Sequence, residues 1–226
     1  MKNRYLHLIN FDLKVLVLNR VTLLQVLFTQ AFMTHLFARR LAVLHPVEDG
    51  FWRMYILAAG FFVLNMVNFF SFEFSFSKVR RFNIAESLFA SPISCRGWIY
   101  STAAACVLFN AANMLVHLLM VSWLAGGAPF GLAQAPSMMA VLFVHASIVL
   151  LLGLASVRTG VYSAANIAVF VLTVFGLTAF GVFNGFGRAL SSAVSVNVLA
   201  GASMFFAAAI FLVYRLADAE SFVGEA

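Results

Sequence analysis

Charge is what this chain has least of. Of its 226 residues only 10% are Asp, Glu, Lys or Arg while 63% are hydrophobic, and the mean hydropathy is +0.99. That leaves too little polar surface to cover a soluble globule, so the bilayer is the expected solvent. Lysine is rarer still: it occurs only at Lys2, Lys14 and Lys78, none within a glycine-rich loop followed by Ser or Thr. A phosphate loop of that kind is therefore excluded, and with it ATP binding by that route. Cys95 and Cys106 are the only cysteines, which leaves no spacing for a metal site and no disulfide framework. The sequence also lacks a His-Glu-x-x-His pair, a Gly-x-Ser-x-Gly elbow and any cluster of intramembrane carboxylates, so catalysis within this chain is not expected. The net charge of +6 does not call for nucleic acid, because basic residues flanking membrane spans are ordinary topology signals.

What is present is a series of apolar runs. Crossing the hydrocarbon core takes roughly 20 such residues, and candidates lie at Val21–Ala38, Met54–Phe72, Trp98–Leu124, Met138–Val157, Val161–Phe183 and Val198–Leu216. The expected fold is all-α: one polytopic domain over residues 1–226 with six transmembrane helices and both termini on one side. Lys2, Arg4, His7, Asp12 and Lys14 scatter charge where a signal peptide needs an apolar core, so the N-terminus is expected to stay in the mature protein. Within residues 1–19, Asn3, His7, Asn10 and Lys14 share one helical face and Leu6, Ile9, Leu13 and Leu16 the other. This reads as an amphipathic interfacial helix. Between the last two runs, Gly181–Arg188 and the Ser-rich stretch to Asn197 are too apolar for an exposed loop. A re-entrant or interfacial element fits there.

Cations set the orientation. Lys2, Arg4, Lys14, Arg20, Lys78, Arg80, Arg81, Arg96, Arg158 and Arg215 fall on one side of this arrangement, against Arg39, Arg40, Arg53 and Arg188 on the other. The positive-inside rule makes the termini and the charged segment 78–97 cytoplasmic. The outer connections, around Pro46 and across Gly126–Ser137, are too short for a folded domain.

Polar residues inside spans are costly and mark either a path or a helix contact. Asn65 and Asn68 form a stripe on the second span, and Asn110, Asn113 and His117 one on the third. Gln25, Thr29, Gln30, Thr34 and His35 make the first span unusually polar. Two readings stand side by side: a partly hydrated translocation path lined by Gln25, Thr29, Asn65, Asn68, Asn110, Asn113 and His117, or hydrogen bonding between helices. His145, alone on the fourth span, reads as a packing residue. The phenylalanines crowding the second span read first as lipid-facing bulk, with an aromatic path as the alternative.

Between the second and third runs lies Asn83-Ile84-Ala85-Glu86-Ser87-Leu88-Phe89-Ala90-Ser91-Pro92-Ile93-Ser94. It resembles the cytoplasmic signature of type 2 permeases of ATP-binding-cassette (ABC) transporters, Gly-Thr-x-Glu-x-Leu-x-x-(Thr/Ser)-Pro-x-Ser. Glu86, Leu88, Ser91, Pro92 and Ser94 fit it, whereas Asn83-Ile84 replaces the Gly-Thr pair and Arg80, Arg81 and Phe82 stand where acidic residues often precede it. The resemblance implies a coupling helix, with Glu86, Leu88, Ser91, Pro92, Ile93 and Ser94 docking onto a partner ATPase that carries ATP and Mg; this chain itself has no cofactor. It further implies a second permease copy or paralogue and a bacterial inner-membrane exporter of a lipidic, glycan, drug-like or peptide substrate. The alternative is a non-transporting scaffold or immunity-type protein that recruits a cytoplasmic partner.

Overall fold

The computed structural model describes residues 2–41, 52–53, 55–81, 94–125, 131–159 and 192–217, and these contain helices and no strand. In order they are α1 (Lys2–Leu18), α2 (Arg20–Leu41), a π-helical turn (Ile56–Gly60) continuing into α3 (Phe61–Arg81), α4 (Cys95–Ala125), α5 (Ala135–Thr159) and α6 (Ser192–Leu216).

A 70° bend separates α1 from α2. Its cause is local: the Asn19 side-chain oxygen accepts from the main-chain N–H groups of Val21 and Thr22 at 3.0 and 3.3 Å. A new helix start is thereby capped, and the chain turns there. On α1, His7, Asn10 and Lys14 are exposed and Leu16 is fully buried, with Ile9 and Leu13 half-buried. The apolar face of α1 packs on α4, and Thr102 Oγ1 donates to Asp12 Oδ2 across that contact at 3.0 Å. Leu6 remains exposed.

Among the described residues three helical stretches, Cys95–Leu124, Ala135–Ser156 and Val196–Leu216, are long and apolar enough to cross a membrane, and the bent α1 and α2 pair makes a fourth if taken together. The apolar helix Ile56–Phe72 is shorter. The expected fifth run, Val161–Phe183, lies outside the described residues, as do most of the re-entrant candidate and residues 82–93 of the charged segment.

Contacts give each helix a direction. Gln30 and Thr34 of α2 meet Asn113 and His117 of α4 in ascending order, so the two run parallel. Tyr55, Gly60, Asn68 and Phe76 meet His117, Met114, Asn110 and Trp98, so α3 runs against α4. His145 reaches Asn110 while Gly153 lies near Ile99, which makes α5 antiparallel to α4 as well. Tyr100 bonds the Ile210 oxygen and Arg96 the Ala217 oxygen, so α6 ends where α4 begins.

Helix α4 is the hub, packing against α1, α2, α3 and α5, while α6 lies along α5. The second-span phenylalanines divide. Phe72 and Phe76 are buried and stacked at 4.5 Å, and Phe76 meets the Trp98 ring edge-on at 5.3 Å. These two rings fill the bundle core, which corrects the lipid-facing reading for them; Phe69 and Phe70 are half-buried. Gly60 and Gly153 permit the close approaches: a Cβ would stand 3.1 Å from Met114 Sδ at the first and 2.8 Å from the Phe76 ring at the second.

Candidate functional site: a polar core between the helices

Two hydrogen-bonded clusters occupy the middle of the bundle. In the first, the Asn110 side-chain nitrogen donates to Asn68 Oδ1 at 3.1 Å and lies 3.0 Å from His145 Nε2, while its oxygen accepts from Ser71 Oγ at 2.9 Å. A carboxamide nitrogen has two protons, so Asn110 serves α3 and α5 at once. With Asn110 donating, His145 Nε2 must be the unprotonated ring nitrogen, and the ring proton sits on Nδ1. Asn68, Ser71, Asn110 and His145 are all essentially fully buried.

The second cluster lies one to two turns further along α4. His117 Nε2 stands 2.9 Å from the Tyr55 hydroxyl and its Nδ1 3.4 Å from Thr34 Oγ1. The same imidazole stacks on Tyr55, with ring centroids 6.3 Å apart and planes 15° from parallel. Gln30 Nε2 donates to the Asn113 main-chain oxygen at 2.7 Å. Helix α4 thus binds α2 and the π-helical turn on one level, and α3 and α5 on the next.

The candidates for a path therefore separate. Asn68, Asn110 and His117 are engaged between helices. Asn65 and Asn113 turn back on their own helices, donating to the Phe61 and Phe109 oxygens at 2.8 Å each. Thr29 does likewise to the Gln25 oxygen at 2.8 Å, and Gln25 itself is exposed. Among the described residues, the buried atoms Gln30 Oε1, Asn65 Oδ1 and His145 Nδ1 have no hydrogen-bond partner. Sites of that kind in a polar interior suit an internal water, which typically makes two to four such bonds.

Sequence reasoning missed Ser71 and Tyr55. Ser71 stands three residues beyond Asn68, on the stripe that begins at Asn65, and that spacing was a usable signal. Tyr55, the residue before the π-helical turn, carried none, because hydropathy does not tell an inward ring from an outward one. Among the described residues no group of three or more His, Cys, Asp or Glu is arranged to hold a metal ion. The side chains of the two clusters are amides, hydroxyls and imidazoles, suited to hydrogen bonding and to holding polar groups or water.

Of the docking residues, Glu86, Leu88, Ser91, Pro92 and Ile93 lie outside the described residues. Ser94 is exposed and caps α4: its Oγ accepts from the Gly97 N–H at 3.1 Å and its main-chain oxygen from the Trp98 N–H at 2.9 Å. Its hydroxyl thus satisfies one of the donors that a helix start leaves unpaired. No protein-family model, curated protein or solved structure matches this chain.

Proposed function

We propose that this chain is the membrane-spanning permease subunit of an ABC transporter, an exporter moved by a separate ATPase docked on residues 83–94. The proposed architecture has six spans, an interfacial α1 and both termini in the cytoplasm of a bacterial cell. The observation that carries the reading is the mechanical link at the ends of the motif. The segment bearing Glu86 and Pro92 leaves α3 and enters α4, and those helices are joined by the bonds of Asn110 to Asn68 and Ser71. A push on the segment would reach both helices as one body, and through His145 the fifth helix of the bundle. Buried polar contacts with two discrete arrangements are the physical means by which such a displacement spreads.

The scaffold reading draws on a different observation: Asn68, Asn110 and His117 are already bonded between helices, as a static bundle requires. Purification of the chain from its host membrane in mild detergent, with identification of partners and an ATPase assay, separates the two. The transporter reading expects a nucleotide-binding subunit and ATP hydrolysis that weakens when Glu86→Ala or Pro92→Ala is introduced, with membrane insertion intact. Repeated recovery without an ATPase, or wild-type coupling in both variants, overturns it in favour of the scaffold.

A further inference from the structure

An open groove of about 440 Å³ lies where the start of α1, the start of α4 and the end of α6 converge, bounded by Tyr5, Ile9, Arg96, Tyr100, Ser101 and Tyr214 among others. That volume is within the range of small-ligand sites, roughly 300–1,000 Å³. Its walls combine two chemistries. Three tyrosine rings and Ile9 make most of the lining apolar, while Arg96 brings a guanidinium into it. The arginine is held firmly: Nε donates to the Ala217 oxygen at 3.2 Å and the guanidinium lies over the Tyr214 ring, 4.7 Å from its centroid. Tyr100 is fixed in turn by its bond to the Ile210 oxygen at 2.9 Å.

The groove opens at a particular depth. Arg96 is the second residue of α4 and Tyr214 lies within the last turn of α6, both at the ends of stretches that are long enough to span the hydrocarbon. Tyrosine and arginine at such ends are the side chains that sit at headgroup level, and basic pockets between helices at that level suit anionic headgroups. The exposed flanks continue the pattern: Arg4 and Arg215 are exposed on the same end of the bundle, and apolar Phe211 and Leu212 lead from it toward the membrane interior.

We propose that this groove binds one anionic phospholipid, its phosphate beside Arg96 and the first part of its acyl chains against Ile9 and the tyrosine rings. The site ties α1 to α4 and α6, so an occupied groove stiffens the entry to the bundle. It does not depend on the transporter reading and holds equally for a scaffold.

The test is native mass spectrometry of the full chain in detergent, titrated with phosphatidylglycerol or with phosphatidylcholine of the same acyl chains. A single phosphatidylglycerol should be retained at least fivefold better than phosphatidylcholine. Arg96→Gln should erase that preference, and Ile9→Trp, which narrows the groove and leaves its charge, should lower retention of phosphatidylglycerol. Arg215→Gln should keep most of the preference. Equal retention of the two lipids by the wild-type chain would mean ordinary annular lipid and overturn the proposal. So would an unchanged preference in a folded Arg96→Gln; if that variant unfolds, full retention by Ile9→Trp overturns it instead. Displacement of the lipid by millimolar inorganic phosphate would also count against it, because a free phosphate lacks the chains that the apolar walls are assigned to hold.

Discussion

The carboxamide nitrogen of Asn110 donates to the carboxamide oxygen of Asn68 at 3.1 Å, with both side chains withdrawn from the surface. Around this pair the Ser71 hydroxyl and the His145 ring complete a set of three bonds to one side chain. A residue so fully used is a joint between α3, α4 and α5, and it leaves little hydrogen-bonding capacity for a passing substrate in this conformation. If the bundle also moves a substrate, the joint has to be remade during the movement.

Replacing Asn110 by Leu removes all three bonds. Interhelical hydrogen bonds in membranes average about 0.6 kcal/mol each, so the expected loss is about 2 kcal/mol. Ser71 softens it, because the Asn68 main-chain oxygen stands 3.4 Å away as a second acceptor. Asn68→Leu removes one bond and costs about half as much or less. The double variant should cost less than the sum of the two, by roughly 0.5–1 kcal/mol. Reversible unfolding in mixed micelles measures this cycle, and strict additivity would show that the two amides do not interact.

Gly153 is the place where a single methyl group is expected to be felt. Its Cβ would meet two carbons of the Phe76 ring at 2.8 and 2.9 Å and Ile99 Cγ2 at 3.5 Å. The ring is pinned between Phe72 and Trp98 and has no ready way to swing aside. Overpacking of this kind costs about 1–3 kcal/mol, against a gain of about 0.8–1.0 kcal/mol in helix propensity. Gly153→Ala should therefore lower the melting temperature in detergent, and Phe76→Leu in the same chain should recover part of it. Gly201 is the control, since nothing lies within 4 Å of its Cβ position. Gly201→Ala should be neutral or stabilising, and equal losses at both sites would refute the packing argument.

Much of this bundle was legible in the residues themselves, because membrane spans announce their length and their polar interruptions. The helices over the third, fourth and sixth runs followed from length and residue type. The destinations of the polar side chains did not. Asn65 and Asn68 share a stripe, yet one bonds its own helix and the other reaches α4. Which of the two occurs depends on the level at which helices cross, a tertiary fact. Tyr55 as partner of His117 and Phe76 as core filler were hidden for the same reason: lipid and protein interior are equally apolar, so hydropathy does not tell an inward ring from an outward one.

The hydroxyl of Thr102 donates to Asp12 and so contributes a polar bond between α1 and α4. A hydrogen bond to a charged acceptor is worth about 1.5–3 kcal/mol. Thr102→Val keeps the shape and deletes the donor. Amides of α1 near Asp12 should then exchange with solvent roughly tenfold faster, since about 1.4 kcal/mol corresponds to a factor of ten, while amides of α4 and α5 stay protected. Unchanged exchange in α1 would assign its docking to Leu16 and its apolar neighbours alone.

The helix directions lead to a prediction about the whole chain. Tyr5 packs on Gly97 and Arg96 bonds the Ala217 oxygen, which brings the start of α1, the start of α4 and the end of α6 to one end of the bundle. Helix α5 returns to that end and α6 also finishes there, since both run against α4. If α4, α5 and α6 each cross the bilayer, the connection from Thr159 to Ser192 must cross it an odd number of times, and the apolar run Val161–Phe183 is long enough for one passage. Single cysteines at Lys2 and Ala226, in a chain carrying Cys95→Ser and Cys106→Ala, should therefore react with an impermeant maleimide from the same side. In the proposed orientation that side is the cytoplasm, so labelling should require a permeabilised membrane. Reaction of the two positions from opposite sides would contradict the placement of the start of α1 and the end of α6 at one end of the bundle and leave an odd number of crossings; reaction of both from outside would keep the proposed even number and reverse the orientation.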